Sequence, residues 1–256
     1  MRLLIINPNI SEDVTELIAA EALRSKSPDT ELVVRTAGYG MQYIETRFES
    51  MLAGPAVAEV IAQNPGADAI VVAAFGDPGL PALKEFSRVP VIGITEAAFA
   101  AASLLGTRFS IIAISARITA WYRDCVESNG YASRLASIHS LTDPLRAIGS
   151  VQEDHAEILV ELANRAVTED GADVIILAGA PLAGLARQVR DRIPVPVVDG
   201  IGSGVRLAEA IAGMQTGTHR SGSCAPPPLK DRRGLSSAVD AQLSNLQQGD
   251  RQEANS

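Results

Sequence analysis

The chain has 256 residues, of which 46% are hydrophobic and 20% are charged, and its net charge is −8. This composition excludes a disordered chain, because disordered chains are poorer in apolar residues. The acidic balance, with no cluster of lysine and arginine to offset it, argues against nucleic acid as a partner.

We expect no targeting signal at the start of the given sequence. The apolar run at 3–6 is shorter than the core of a signal peptide, and no stretch reaches the roughly 18 apolar residues of a membrane span. The two cysteines, Cys125 and Cys224, and the three histidines are too scattered for a metal site, a disulfide framework or a catalytic triad. We therefore expect a cytoplasmic protein with no membrane segment and no bound metal.

Short runs rich in β-forming residues alternate along the chain with longer segments of helical periodicity. Near-continuous apolar runs such as 70–72 and 175–177 are typical of parallel strands covered on both faces. In the first helical segment, apolar residues such as Val14 and Ile18 recur at the spacing of one helix face. The pattern predicts an α/β fold with doubly wound parallel sheets. The predicted strands cover 3–6, 32–34, 69–74, 91–94, 109–114, 174–177 and 195–198.

An internal duplication divides the chain into two similar halves. The segment 66–72 matches the segment 171–177, and after one inserted residue 90–93 matches 196–199. Two separated matches in the same order predict two α/β lobes related by a pseudo-twofold axis.

The duplication and the composition together predict the boundaries of the lobes and of a tail. Clusters of Gly, Ser and Pro mark the start of the tail, and its end is polar. The predicted parts are a first lobe of 1–95 plus about 205–216, a second lobe of 96–204, a strap with a short helix at 217–246, and a disordered end at 247–256.

The site is expected in a cleft between the lobes. Ligands of open α/β sheets bind beyond the carboxyl ends of the strands. The loops 75–79 and 179–184 follow the two matched strands and are rich in Gly and Pro, which permit close approach to the backbone. These two loops are therefore predicted to face each other across the cleft.

The strand ends carry the candidate binding and catalytic side chains. Asn7 and Asn9 lie between the first strand and the first helix, where amides bind anions, although both are also ordinary turn and capping residues. Asp77, held between Gly76 and Pro78, either meets a substrate or caps a helix that starts beside it.

Three further acids, Glu45, Glu96 and Asp199, are placed near strand ends or loop edges. A carboxylate there can act as an acid or a base, but such acids are also common in the first turn of a helix. The glycines at 200–204 follow a strand, as in phosphate sites, yet Val205 stands where a dinucleotide fingerprint has its third glycine. The sequence therefore gives little support to a nucleotide site.

These segments together resemble the Asp/Glu/hydantoin racemase superfamily, and especially its hydantoin and allantoin racemases. The resemblance covers nearly the whole chain and implies two lobes, a small-molecule substrate, no cofactor and a homo-oligomer. It is carried by Asn-Pro-Asn at 7–9, Ile-Glu at 44–45, Phe-Gly-Asp-Pro-Gly-Leu at 75–80, Ala-Gly-Ala-Pro-Leu-Ala-Gly at 178–184 and Asp-Gly at 199–200.

The family uses two cysteines, one in each lobe, to remove and return the α-proton on opposite faces of the substrate. The resemblance places them at Ala74 and Gly179, so both thiols are absent here, and neither Cys125 nor Cys224 matches either position. A carboxylate in place of a thiolate has a pKa about 4 units lower, worth up to about 6 kcal/mol of proton-transfer driving force. Burial can recover a part of this difference.

We therefore expect a racemase-type enzyme with an altered mechanism, acting on a hydantoin, a ureide such as allantoin, or an Asp/Glu-type amino acid. The alternatives are a decarboxylase, lyase or hydrolase of a related small molecule, and a protein that only binds a small carboxylate. The candidate catalytic residues are Asp77, Glu96 and Asp199, and the candidate substrate-binding residues are Asn7, Asn9, Ile44, Phe75, Gly76, Ala180 and Pro181.

Overall fold

The computed structural model describes residues 1–142, 147–215, 222–228 and 230–253. Its first half repeats a strand–helix unit four times, and its second half does the same. The elements of the first half are β1 (Arg2–Asn7), α1 (Glu12–Ser25), β2 (Glu31–Thr36), α2 (Arg47–Gln63), β3 (Ala69–Val72), α3 (Leu80–Phe86), β4 (Val91–Gly93) and α4 (Ile94–Leu105). Those of the second half are β5 (Phe109–Ala113), α5 (Thr119–Ser128), β6 (Leu135–Ser140), α6 (Val151–Asp170), β7 (Val174–Ala178), α7 (Leu185–Val189), β8 (Val197–Asp199) and α8 (Gly200–Gly213).

The strands form two parallel four-stranded sheets of the same topology. The strand orders are β2-β1-β3-β4 and β6-β5-β7-β8, so the first strand of each half lies inside its sheet. We call β1–β4 with α1–α3 the first lobe and β5–β8 with α5–α7 the second lobe. The predicted α/β fold with two similar parallel-sheet lobes is confirmed.

The helices α4 and α8 lie between the lobes and join them. They pack against each other, α8 also packs on β3, and α4 also packs on β7. Both predicted boundaries, at 95 and at 204, fall inside these helices, and the assignment of α4 and α8 to one lobe or the other stays a prediction. Because each helix covers the third strand of the opposite sheet, the main core is continuous across both lobes.

Local sequence explains most element ends. Ser11 caps α1 by accepting a hydrogen bond from the amide of Val14, and Thr46 with Glu49 forms a capping box at the start of α2. Seven of the eight strands match predicted runs. The exception, β6, was not predicted, because it is an edge strand of mixed composition whose residues are all half-buried.

The tail ends in a helix that covers the first lobe. This helix, α9 (Ser237–Glu253), packs on α2 and α3, and Leu246 is 1% exposed within a smaller core that includes Val57, Leu83 and Phe86. The helix continues beyond 246, where the predicted short helix ends. Residues 143–146, 216–221, 229 and 254–256 lie outside the described residues, and the disordered end stays a prediction.

Shortening Leu246 is expected to release α9. A buried leucine cut to alanine costs about 2–5 kcal/mol, which is comparable with what one terminal helix gains from docking. In Leu246→Ala we expect amide hydrogen exchange in 237–246 to speed up strongly while exchange in β1 and β3 stays slow. Leu235→Ala, at a position that is 46% exposed, is the matched control. Unchanged protection of α9 in Leu246→Ala would contradict the docking role.

Candidate functional site

Two loops follow the third strands and are each covered by the opposite lobe. The first loop (73–79) lies under α5, so closely that a Cβ atom on Gly76 would overlap the Trp121 indole. The second loop (179–184) lies under α1, which packs on the short turn at 180–182. The reciprocal covering brings the two loops to the boundary between the lobes.

Asp77 caps α4 and does not cap the helix beside it in sequence. Its carboxylate accepts hydrogen bonds from the amides of Thr95 and Glu96, both at 2.9 Å. The residue has a positive φ of 46°, which non-glycine residues adopt rarely. A Cβ on Gly93 would overlap the carboxylate, so a glycine is needed there. The alternative that Asp77 caps α3 is wrong, because α3 starts at Leu80 with no side-chain cap.

Burial sets the protonation of Asp77. The enclosed position raises the pKa of Asp77 to about 7, although its hydrogen bonds with Thr95 and Glu96 favour the ionised form. Desolvation outweighs those hydrogen bonds here. A carboxyl group with a pKa near 7 can exchange a proton at neutral pH.

Asp199 makes the corresponding link in the second lobe. It is the N-cap residue of α8 and accepts hydrogen bonds from the amides of Gly202 at 2.9 Å and Gly184 at 2.6 Å. Burial, with a contribution from the negative charge of Glu21, raises the pKa of Asp199. In each lobe, one carboxylate therefore ties the loop after the third strand to the helix after the fourth. The carboxylate comes from the loop in the first lobe and from the helix in the second.

Glu96 is occupied by an ion pair. Its carboxylate lies 2.9 and 2.7 Å from Nζ of Lys84, and it also accepts a hydrogen bond from the amide of Gly93 at 3.2 Å. Because Lys84 and the amide of Gly93 already engage this carboxylate, Glu96 is a weak candidate for contact with a substrate.

The candidate asparagines form a buried network with each other. The Asn7 amide donates to the Asn9 side chain at 2.9 Å, to the Ser11 carbonyl at 3.0 Å and to the Thr15 hydroxyl at 2.9 Å. The Asn9 oxygen also accepts from the amide of Ser11 at 2.9 Å. The network shapes the turn between β1 and α1, and anion binding by these residues stays a prediction.

Other candidate binding residues lie in or beside the core. Phe75 is 4% exposed and packs against Phe99 and Tyr122, whereas Ile44 is half-buried. Ala180 and Pro181 are buried in the second loop. The carbonyl of Pro181 accepts a hydrogen bond from the Gln152 side chain at 2.9 Å.

Ala74 and Gly179 stand where the resemblance places the two thiols. Ala74 is buried at the start of the first loop. Gly179 begins the second loop with φ 118° and ψ 142°, a conformation that residues with a side chain rarely adopt. A cysteine at position 179 would therefore have to adopt a backbone conformation that is strained for a residue with a side chain.

Contacts between the lobes were missed by sequence reasoning. Glu21 is 1% exposed in α1, and both of its carboxylate oxygens accept from Nε of Arg187 in α7, at 2.8 and 3.1 Å. Glu45, considered only as a possible acid or base, accepts a hydrogen bond from Ser115 of the second lobe. An acid on the buried face of α1 was a visible signal for Glu21, but its partner is too distant in sequence to be recognised.

Within the described ranges, no cluster of three or more His, Cys, Asp or Glu side chains could hold a metal ion. In the same residues, no helix is both long and apolar enough to cross a membrane.

Comparisons with known proteins show clear relatives. The family model described as Asp/Glu/Hydantoin racemase matches residues 3–208. The hydantoin racemase of Paenarthrobacter aurescens is 36% identical, over 90% of this chain and 99% of that protein. The structure of allantoin racemase from Klebsiella pneumoniae is 34% identical with a TM-score of 0.88, over 93% of this chain and 98% of that one. Allantoin racemase from Pseudomonas fluorescens is 36% identical with a TM-score of 0.85, over 91% and 100% of the two chains.

The raised pKa of Asp77 predicts a pH dependence of stability. Since the folded pKa of about 7 lies above the ordinary value of 3.8, the folded state binds this proton more tightly than the unfolded state. The resulting stabilisation is complete below about pH 4 and is lost as the pH rises through 7. Between pH 5 and 8, urea unfolding should show a loss of about 3 kcal/mol that is absent from Asp77→Asn. A gain in stability over this range that disappears in Asp77→Asn would show an ionised cap instead.

The backbone at Gly179 predicts a cost for restoring the thiol there. Gly179→Cys should lower the free energy of unfolding by about 1–3 kcal/mol, because the side chain forces strain at a positive φ. Gly38→Cys is the control, since a Cβ on Gly38 meets nothing within 4 Å. Chemical denaturation of both variants checks the expectation, and equal stabilities would show that the second loop relaxes without strain.

Proposed function

The chain belongs to the Asp/Glu/hydantoin racemase family, and from this membership we propose that it is a cofactor-independent enzyme of the racemase type that acts on a small cyclic ureide. A hydantoin or allantoin is the proposed substrate class, because relatives named for both compounds cover almost the whole chain. An Asp/Glu-type substrate has less support, since the proteins named above are all named for ureides. A cytoplasmic location and a homo-oligomeric state remain predictions.

The observation that carries an altered mechanism is the carboxylate of Asp77. It lies three positions after Ala74 on the same loop, and its pKa of about 7 is suited to proton transfer at neutral pH. A thiol has a pKa near 8.5, so the loss of driving force relative to a thiolate falls to about 2 kcal/mol, from about 6 for an ordinary carboxylate.

The proposed reaction uses one carboxyl group from each lobe. The α-hydrogen of a hydantoin or allantoin is acidic because the carbanion delocalises into the neighbouring carbonyl. In the proposed step, ionised Asp77 takes this proton from one face, the electron pair of the broken C–H bond passes into the ring carbonyl, and protonated Asp199 donates a proton to the other face. The reverse turnover starts with the opposite protonation states.

A second candidate function is binding of a small ureide or carboxylate without turnover. It is favoured by the present use of the carboxylates, since Asp77 and Asp199 both accept two backbone hydrogen bonds at helix starts. Ala74 and Gly179 have no group that can carry a proton. For catalysis, each carboxylate has to exchange part of its bonding to the helix for the substrate proton.

Proton exchange in heavy water tests these proposals. Single enantiomers of 5-substituted hydantoins and of allantoin are incubated with the protein, and proton NMR follows the loss of the α-proton signal above the spontaneous rate. Exchange should fall by about 100-fold or more in Asp77→Asn and in Asp199→Asn, the usual contribution of a general base or acid.

The duplication supplies matched controls for this experiment. Asp68 and Asp173 also accept backbone hydrogen bonds, from Arg2 and from Arg108. They lie just before β3 and β7, at the ends of these strands that are opposite to the two loops. Asp68→Asn and Asp173→Asn should keep exchange within about threefold of the wild type. If Asp77→Asn exchanges the α-proton as fast as the wild type, Asp77 is not the base. If calorimetry shows that the wild type binds the ureide without exchanging its α-proton, the binding function is favoured.

A further inference from the structure

A groove beside the second loop has the chemistry of a binding site. Its lining includes Asp199 but no residue of either loop. It runs beside β8 between α1, α4, α7 and α8, and its volume is about 450 Å³, within the range of small-molecule sites. We call it the β8 groove. Its lining includes Leu104, Leu105 and Leu207 together with Arg187, Arg190 and Arg206.

Two of the leucines that line the β8 groove are unusually exposed to solvent. Leu104 and Leu105, at the end of α4, are 83% and 54% exposed. Large aliphatic side chains gain free energy when an apolar body covers them. Their position along the wall of a concave surface therefore favours a ligand with an apolar part.

Two arginines of the β8 groove, Arg190 and Arg206, can donate further hydrogen bonds from their guanidinium groups. Arg190 has one ion-pair partner among the described residues, Asp191, at 3.9 Å, and both side chains are largely exposed. Among the described residues, Arg206 contacts Ser27 at 3.3 Å and Glu209 at 3.6 Å, both through Nη1. Guanidinium groups with unused N–H donors bind carboxylates by paired hydrogen bonds.

The acids in the β8 groove are already satisfied. Glu21 accepts hydrogen bonds from Arg24, Ser25 and Arg187, and Asp199 accepts from two backbone amides. Burial also raises the pKa of Asp199. The accessible groups of the groove are therefore mainly cationic, in a chain whose net charge is −8.

The first lobe provides an internal comparison. The related groove beside β4 has a volume of about 340 Å³ and is lined by Ile92, Ala97, Tyr131 and other residues, none of them lysine or arginine within the part of the chain that the structure describes. The duplication alone therefore does not account for the arginines beside β8.

We propose that the β8 groove binds an amphipathic organic carboxylate, with its apolar body on Leu104 and Leu105 and its carboxylate on Arg190 and Arg206. The proposal goes beyond the proposed function, because it holds whether or not the loops catalyse a reaction. Both arginines are more than half exposed, so their replacement leaves the fold intact.

Calorimetry with octanoate tests the proposal on the full chain. One octanoate should bind per chain, with amide NMR shifts at Leu105 and Ser203, and the double variant Arg190→Gln/Arg206→Gln should bind about tenfold or more weakly. Arg165→Gln is the charge-matched control, since Arg165 lies on α6 and pairs with Glu169, and it should bind as the wild type does. Octanamide, which lacks the charge, should bind at least tenfold more weakly than octanoate.

Three results would overturn the proposal. In the first, octanoate does not bind saturably to the wild type. In the second, the double arginine variant binds octanoate as tightly as the wild type does, and in the third, the wild type binds octanamide as tightly as octanoate. Asp77→Asn separates this site from the loops, because octanoate should bind that variant normally. Loss of octanoate binding in Asp77→Asn would place the ligand at the first loop, and it is a fourth result that would overturn the proposal.

Discussion

The backbone amides at the starts of α4 and α8 need acceptors, and this requirement organises the molecule. Both helices begin directly after a short strand and are packed between the lobes, where water cannot satisfy their first N–H groups. Asp77 and Asp199 supply the acceptors. Since each carboxylate also belongs to or contacts the loop after the third strand, the position of each loop follows from capping a helix. The same hydrogen bonds that cap the two central helices therefore also hold the loops of the candidate site in place.

The duplicated lobes reach this arrangement in two different ways. In the first lobe the acid lies on the loop and the helix start is glycine, Gly93. In the second lobe the acid is the helix start, Asp199, and the loop offers the amide of Gly184. An alignment of the two halves hides this equivalence, because Asp199 aligns with Gly93 whereas Asp77 aligns with Leu182. The structure shows that both carboxylates join a loop to the start of a central helix.

Most of the fold was predictable from the sequence, and most of the site was not. Strands such as β3 and β7 are buried on both faces, so their unbroken apolar runs identify them, whereas β6 at a sheet edge has no such signal. The loops were found because Gly and Pro follow the matched strands. The capping of α4 by Asp77 and the pairing of Glu21 with Arg187 depend on which segments meet in space, and hydrophobic periodicity carries no information about that.

The place of Leu246 near the end of the sequence bears on the order in which the chain folds during synthesis. The smaller core of the first lobe contains Val57, Leu83 and Phe86, yet it is closed by Leu246, near the end of the chain. One face of β3 is likewise packed against α8, which is synthesised about 130 residues after β3. A ribosome that has released only the first lobe has therefore made a sheet whose two apolar faces are both incompletely covered. For this protein, co-translational folding of the first lobe remains incomplete until the final helix emerges, and protection by a chaperone would matter most in that interval.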